Sequence, residues 1–188
     1  TPAVQFTLFG KIVLLILIQI GGLGIIACVT AFFIIMKRRI SLKERVVILE
    51  AYSMESLSGM VAMILRILKG TICLEGIGAL LYSFRFVPEF GVVKGIGYSV
   101  FHAVSAFCNA GIDILGDSSF IPYADSVVVN FTTILLVVLS GLGFTVWQDL
   151  GQNLKKVWKK ELELRRLFKK LRLHSKIVLI MTSVLIVS

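Results

Sequence analysis

Long apolar runs alternate along the chain with short charged stretches. The first run covers residues 12–36, holds no charged side chain and carries one amide, Gln19. A helix of that length, at ~1.5 Å per residue, exceeds the ~30 Å hydrocarbon core of a bilayer. It is also too long, and wrongly flanked, for a signal peptide. A second helix is expected over residues 57–84. Its later half, 71–82, is apolar apart from Glu75, and its earlier half carries Arg66 and Lys69, which reach toward an aqueous interface. Pro88 and Gly91 are expected to break the chain after it. Residues 96–107 then form an apolar stretch too short to cross, with the length of a re-entrant half-helix. That stretch ends in Cys108-Asn109-Ala110-Gly111-Ile112-Asp113. A polar loop with Pro122 leads to another full-length run, 126–147, and a last apolar run opens at Ile177. The pattern predicts an all-α membrane protein ordered as span, re-entrant helix, non-helical turn, span.

Charge orients these elements. Of the net charge of +9, one cluster (Lys37, Arg38, Arg39, Lys43, Arg45) follows the first run, and a second lies between Lys155 and Lys176. Between residues 84 and 125 only Arg85 and Lys94 stand against Glu89, Asp113, Asp117 and Asp125. The positive-inside rule places both basic clusters in the cytoplasm and the middle stretch outside. A half-helix that dips in and returns keeps this parity; an extra full crossing would break it.

Composition agrees with lipid. Hydrophobic residues make up 57% of the 188, charged residues 16%, and the mean hydropathy is +0.93. A soluble domain does not cover its surface with so few polar groups. The isoelectric point near 9.7 does not imply nucleic acid, because the basic clusters adjoin spans and carry no base-reading motif. Cys28, Cys73 and Cys108 sit in apolar surroundings without metal-site spacing, so reduced thiols are expected. His102 and His174 are isolated, as buried or interfacial histidines. No nucleophile–base pair, paired acids or metal cluster lies in the apolar runs, so the chain is not read as an enzyme.

The chain also repeats itself. Gly21-Gly22-Leu23-Gly24 in the first run matches Ser140-Gly141-Leu142-Gly143 in the later one. Each follows an apolar run that opens just after Phe-Thr (Phe6-Thr7, Phe131-Thr132) and holds at most one charge, Lys11 in the first copy, and each precedes a basic segment. Such self-similarity marks a modular architecture. The glycines suit close helix packing through small residues, with hinging as the alternative.

The turn after the half-helix is the candidate site. Irregular backbone within a membrane must be buried in protein or line water. Asn109-Ala110-Gly111 is a poor helix former, and Gly111 accepts a positive φ at little cost. Carbonyl oxygens exposed there can replace the hydration shell of potassium. The C-terminal end of the half-helix adds partial negative charge, and Asp113 just outside raises the local cation concentration. The alternative is a short buried helix ending in an Asn-Ala-Gly turn with no ion; the order of the surrounding elements favours the ion. Glu75 is expected to brace the turn by pairing with a pore-helix group such as His102, or else to face water near the outer surface. Residues 154–173 alternate basic pairs with apolar residues, as an interfacial helix on membrane lipid does; docking of a regulatory subunit is the alternative.

Phe101-His102-Ala103-Val104-Ser105-Ala106-Phe107-Cys108-Asn109-Ala110-Gly111 resembles the second pore helix and filter of the Trk/Ktr/HKT potassium transporters, most closely the bacterial Ktr-type pore subunit. The string Gly21-Gly22-Leu23-Gly24 resembles the last helix of that family's first repeat, and Ser140-Gly141-Leu142-Gly143-Phe144 that of its second. The resemblance covers essentially the whole chain. It implies four span–loop–span repeats arranged like a tetrameric potassium channel, and it makes this chain an internal fragment. Residues 1–40 end repeat one, 41–56 are a cytoplasmic linker and 57–150 are repeat two, with pore helix 96–107, filter 108–113 and span 126–147. Residues 151–172 form a basic cytoplasmic linker, and 173–188 open repeat three.

The filter backbone would then be Cys108, Asn109, Ala110, Gly111 and Ile112. Potassium would sit on the carbonyls of Asn109, Ala110 and Gly111, with Asp113, Glu75 and His102 in support. Ile112 stands where family members often carry Phe. The resemblance further implies a plasma-membrane location of the bacterial inner-membrane type, a homodimer of the full-length subunit, a cytosolic nucleotide-sensing regulatory subunit, and sodium as a stimulating ion. A secondary cation transporter with broken helices and a non-conducting membrane scaffold are the competing readings.

Overall fold

The computed structural model describes residues 2–24, 60–116, 118–158 and 168–187, and its regular elements there are all helical. They are α1 (Pro2–Gln5), α2 (Leu8–Leu23), α3 (Met60–Phe90), α4 (Val92–Phe107), a 3-10 turn (Ile121–Tyr123), α5 (Val127–Gly141), α6 (Phe144–Trp158) and α7 (Leu173–Val187). The second half of the first apolar run, Cys28, the linker 41–56 and the middle of the basic linker lie outside the described residues. The chain divides into two compact units, Thr1–Val137 and Val138–Ser188.

In the first unit, α2 opens on Thr7, whose hydroxyl accepts the Gly10 N–H at 3.3 Å. This satisfies one of the unpaired donors of a helix start. The helices α3 and α4 run beside each other from a sharp turn at Gly91, where φ is 79°. Their backbones nearly touch: a β-carbon on Gly95 would lie 2.6 Å from the Val87 Cα. The expected break at Pro88 is not there, for α3 runs through it to Phe90. Proline removes one N–H from the ladder, and the helix continues only two residues before Gly91 ends it. Helix α4 accordingly starts at Val92, where residue 96 was expected, and ends at Phe107.

Two apolar clusters hold this unit together. Tyr82, Phe86, Ala103, Phe107, Tyr123, Val129 and Leu136 join α3, α4, the 3-10 turn and α5. Ile18, Phe101, Val104 and Ile114 join α2 to α4 and to the segment after the turn. Between helices in lipid, such contacts work through close van der Waals packing, since the tails are as apolar as the side chains.

In the second unit, the run expected as one span, 126–147, is interrupted. Helix α5 stops at Gly141, α6 begins at Phe144, and Gly143 between them has φ 80°. The indole N–H of Trp147 donates across the break to the Leu139 carbonyl at 2.9 Å. The matching glycine of the first copy, Gly24, ends α2 with φ 84°. Both copies of the motif therefore halt a helix on a left-handed glycine. Further along, the buried Asp149 of α6 accepts the backbone N–H of Arg172 at 2.7 Å, just before α7 starts, and the Asn153 amide at 3.0 Å.

Among the described residues no single helix is long and apolar enough to cross a membrane, although α5 and α6 together meet that test by length and composition. Apolar side chains are widely exposed, Leu8 and Phe9 of α2 at 76% each and Leu185 of α7 at 71%. Patches on that scale mark surfaces meant for lipid or partner helices.

Candidate functional site

The site grows out of the C-terminal end of α4. Its last amides close back onto the helix: Cys108 N–H donates to the Val104 carbonyl (2.9 Å), Asn109 N–H to Ala106 (3.1 Å) and Ala110 N–H to Ser105 (2.9 Å). Asn109 at φ 53° and Gly111 at φ 64° then take the chain out of the helical path. Asparagine tolerates this region and glycine enters it freely. No atom lies within 4 Å of where a Gly111 β-carbon would be; backbone conformation, not crowding, asks for glycine there.

The segment after the turn, 112–114 (the ascending segment), is held by two side chains one turn apart on α4. The Ser105 hydroxyl donates to the Ile112 carbonyl at 2.6 Å and accepts the Ile112 N–H at 3.0 Å. His102 Nδ1 faces the Tyr98 carbonyl at 2.6 Å, and Nε2 accepts the Ile114 N–H at 3.4 Å. A carbonyl can only accept, so the proton is on Nδ1. The ring itself is wedged edge-on among Tyr82, Phe86, Phe101 and Phe120.

These anchors determine where carbonyls point. In a trans peptide the N–H and C=O of one plane are opposed, and no peptide among the described residues is cis. The amides of Ala110, Ile112 and Ile114 are tied to α4 through Ser105 O, Ser105 Oγ and His102 Nε2. The carbonyls sharing those planes, those of Asn109, Gly111 and Asp113, are thus turned away from α4. The Ile112 carbonyl, expected in this set, accepts the Ser105 hydroxyl of α4 instead. The Asp113 carboxylate turns inward along its own loop, accepting the Leu115 N–H at 3.3 Å and the Ser119 hydroxyl at 2.7 Å.

Glu75 is buried, and its partner is Gln19 of α2 at 3.0 Å rather than His102. Close by sequence to Gln19, Gly22 packs directly on the start of the turn. A β-carbon there would lie 2.5 Å from the Cys108 Cβ and still closer to its sulfur. Of the five motif glycines, Gly22 is the one in close contact; Gly21, Gly24, Gly141 and Gly143 have open space around them, and Gly24 and Gly143 stop helices instead. Beside the turn lies a cavity of about 250 Å³, bordered by Ser105, Asn109, Gly111 and Asp113 on one side and by Thr133 and Val137 of α5 on the other.

The turn from Cys108 to Asp113 follows the helix that carries His102, which meets it at the Ile114 amide; sequence reasoning gave no role to Ser105 or Gln19. A serine within an apolar helix and an amide within an apolar run were the available signals.

The model of a family described as cation transport protein, TrkH, matches residues 3–188. The potassium/sodium uptake protein NtpJ of Enterococcus hirae is 41% identical over 180 residues, 95% of this chain and 37% of the relative. The Ktr system potassium uptake protein B of Bacillus subtilis is 36% identical over 175 residues, 93% and 36% of the two chains. Its namesake from Vibrio alginolyticus is 36% identical over 182 residues, 97% and 38%. The chain thus spans a little over a third of the length of the curated relatives it matches. Moving cations is work done across a membrane, and the chain is a multi-pass protein of the plasma membrane. With nearly its whole length matched, it belongs to the TrkH family of cation transport proteins.

Proposed function

We propose that the chain supplies one segment of a potassium-selective permeation path, built from the second of four span–loop–span repeats. The observation that carries this is the peptide geometry after α4: the carbonyls of Asn109 and Gly111 are directed away from the helix whose negative end lies beneath them. Oxygen dipoles so arranged suit a monovalent cation stripped of water. Relatives named for potassium uptake give the ion its identity. In this reading Cys108 to Gly111 form the filter turn, and Asp113 adds its carbonyl at the outer edge. Residues 1–40, 57–150 and 173–188 belong to repeats one, two and three, joined by cytoplasmic linkers 41–56 and 151–172. The work is transport and not catalysis. The full-length subunit forms a homodimer and answers to a cytosolic nucleotide-sensing subunit, and sodium stimulates it.

Rubidium and sodium uptake by the full-length protein, wild type against Gly111→Ser, tests the filter. The variant is expected to lose preference for rubidium over sodium; an unaltered ratio sinks the assignment. One observation favours a second reading, a secondary cation transporter: the break at Leu142–Gly143 where an unbroken span was expected. Broken helices frame ion sites in such transporters. Measured charge movement per potassium, with and without a second ion gradient, separates the two.

A further inference from the structure

We propose that Ser105 and His102 are positioning residues for ion selectivity, acting through the backbone of Ile112 and Ile114 on the carbonyls of Gly111 and Asp113. This rests on the filter reading above. The case begins with what does not hold the turn. Asn109, Ala110 and Gly111 are exposed, no atom approaches the Gly111 α-carbon on the side where a side chain would grow, and the cavity of about 250 Å³ runs alongside. Close packing, which fixes most protein interiors, is missing on that flank. Hydrogen bonds from α4 take its place.

The two anchors act together because of periodicity. His102 and Ser105 are three residues apart and share one face of the helix. Ile112 and Ile114 are two apart, so their amides share one side of an extended segment. The hydroxyl of Ser105 grips both polar groups of Ile112, as the opposite residue of an antiparallel pair does. His102 adds a second hold above it, and its own ring is fixed by the Tyr98 carbonyl and the surrounding aromatics. With two peptide planes pinned at their N–H ends, neither plane can flip without breaking a bond, and the opposed carbonyls stay aimed away from α4. Remove one pin and the plane is free to rotate toward the cavity.

The test uses the full-length protein and reads the rubidium-to-sodium uptake ratio, which does not depend on how much protein folds. Ser105→Ala removes the hydroxyl, and Ser105→Thr restores it. His102→Phe keeps an aromatic ring in the pocket and removes the acceptor. Ser105→Ala and His102→Phe are each expected to lower the ratio roughly three- to tenfold, the range that one hydrogen bond carries, and Ser105→Thr to return it to the wild-type value. If Gly111→Ser loses preference while both anchor variants keep it, the positioning roles are overturned and the filter stands. If Gly111→Ser also keeps it, the filter reading falls and this inference with it. Loss of preference in Ser105→Thr equal to that in Ser105→Ala likewise overturns the role of the hydroxyl.

Discussion

Gln19 and Glu75 lie 56 positions apart in the chain and share a hydrogen bond of 3.0 Å. The amide belongs to α2 and the carboxyl to the middle of α3, so this bond ties together two helices far apart in the chain. Polar side chains between membrane helices are often the glue of such seams. Replacing either with leucine leaves the other without its partner, at a cost of ~1–3 kcal/mol. The double replacement is expected to cost less than the two single changes added together. Thermal unfolding of the detergent-solubilised full-length protein measures all three; strict additivity would show that the bond contributes nothing. The milder Glu75→Gln is expected to reduce uptake more than it reduces membrane insertion.

A methyl group at position 22 has nowhere to go. Gly22→Ala drives a β-carbon into Cys108, and overpacking of this kind costs ~1–3 kcal/mol. Because the two nearest atoms belong to the Cys108 side chain, with its Cα next at 3.1 Å, Cys108→Gly in the same protein is expected to recover part of the loss. Selectivity and melting temperature should move together in this pair, since Cys108 opens the turn. A Gly22→Ala protein as stable and as selective as the wild type would show that α2 does not bear on the turn.

Neighbouring glycines in the second motif are expected to respond with opposite signs. Gly141 is helical with open space beside it, so alanine there should stabilise by about 0.5–1 kcal/mol. Gly143 has equally open space but sits at φ 80°, and alanine there should cost about 1–2 kcal/mol. The pair of melting curves checks this without reference to transport.

Asp149 is buried and takes the N–H of Arg172 at the head of α7. A carboxylate at a helix N-terminus works with the dipole and satisfies an otherwise unpaired donor. Asp149→Ala should therefore destabilise by ~1–3 kcal/mol, and Asp149→Asn, which keeps an acceptor, by less. Equal losses for the two would mean that volume, not bonding, is what this position supplies.

Much of this was legible in the linear chain, and the reasons it stops are physical. The order of helix, irregular turn and helix follows from the apolar run lengths and the breakers between them, and the end of α4 at Phe107 follows from the weak helix formers beyond it. Hydropathy cannot register a dihedral angle, so the break at Leu142–Gly143 lay hidden inside an unbroken apolar run. Pro88 misled in the other direction: one missing donor near a helix end is tolerated for the last two residues before Gly91. The partner of Glu75 was misassigned because local reasoning looks to near neighbours, whereas Gln19 arrives from a helix 56 positions away. Ser105 was passed over because a lone small polar residue on an apolar helix carries no pattern.

The two pins grip main-chain atoms, and that has an evolutionary consequence. A side chain on the ascending segment can be exchanged without loosening a hold made on its amide and carbonyl. A change of side chain at Ile112 is the kind of drift such an attachment permits. Natural variation should gather at the exposed side chain of 110, and should thin out at 102, 105, 109 and 111, where the anchors and the left-handed bend leave the genetic alphabet little choice.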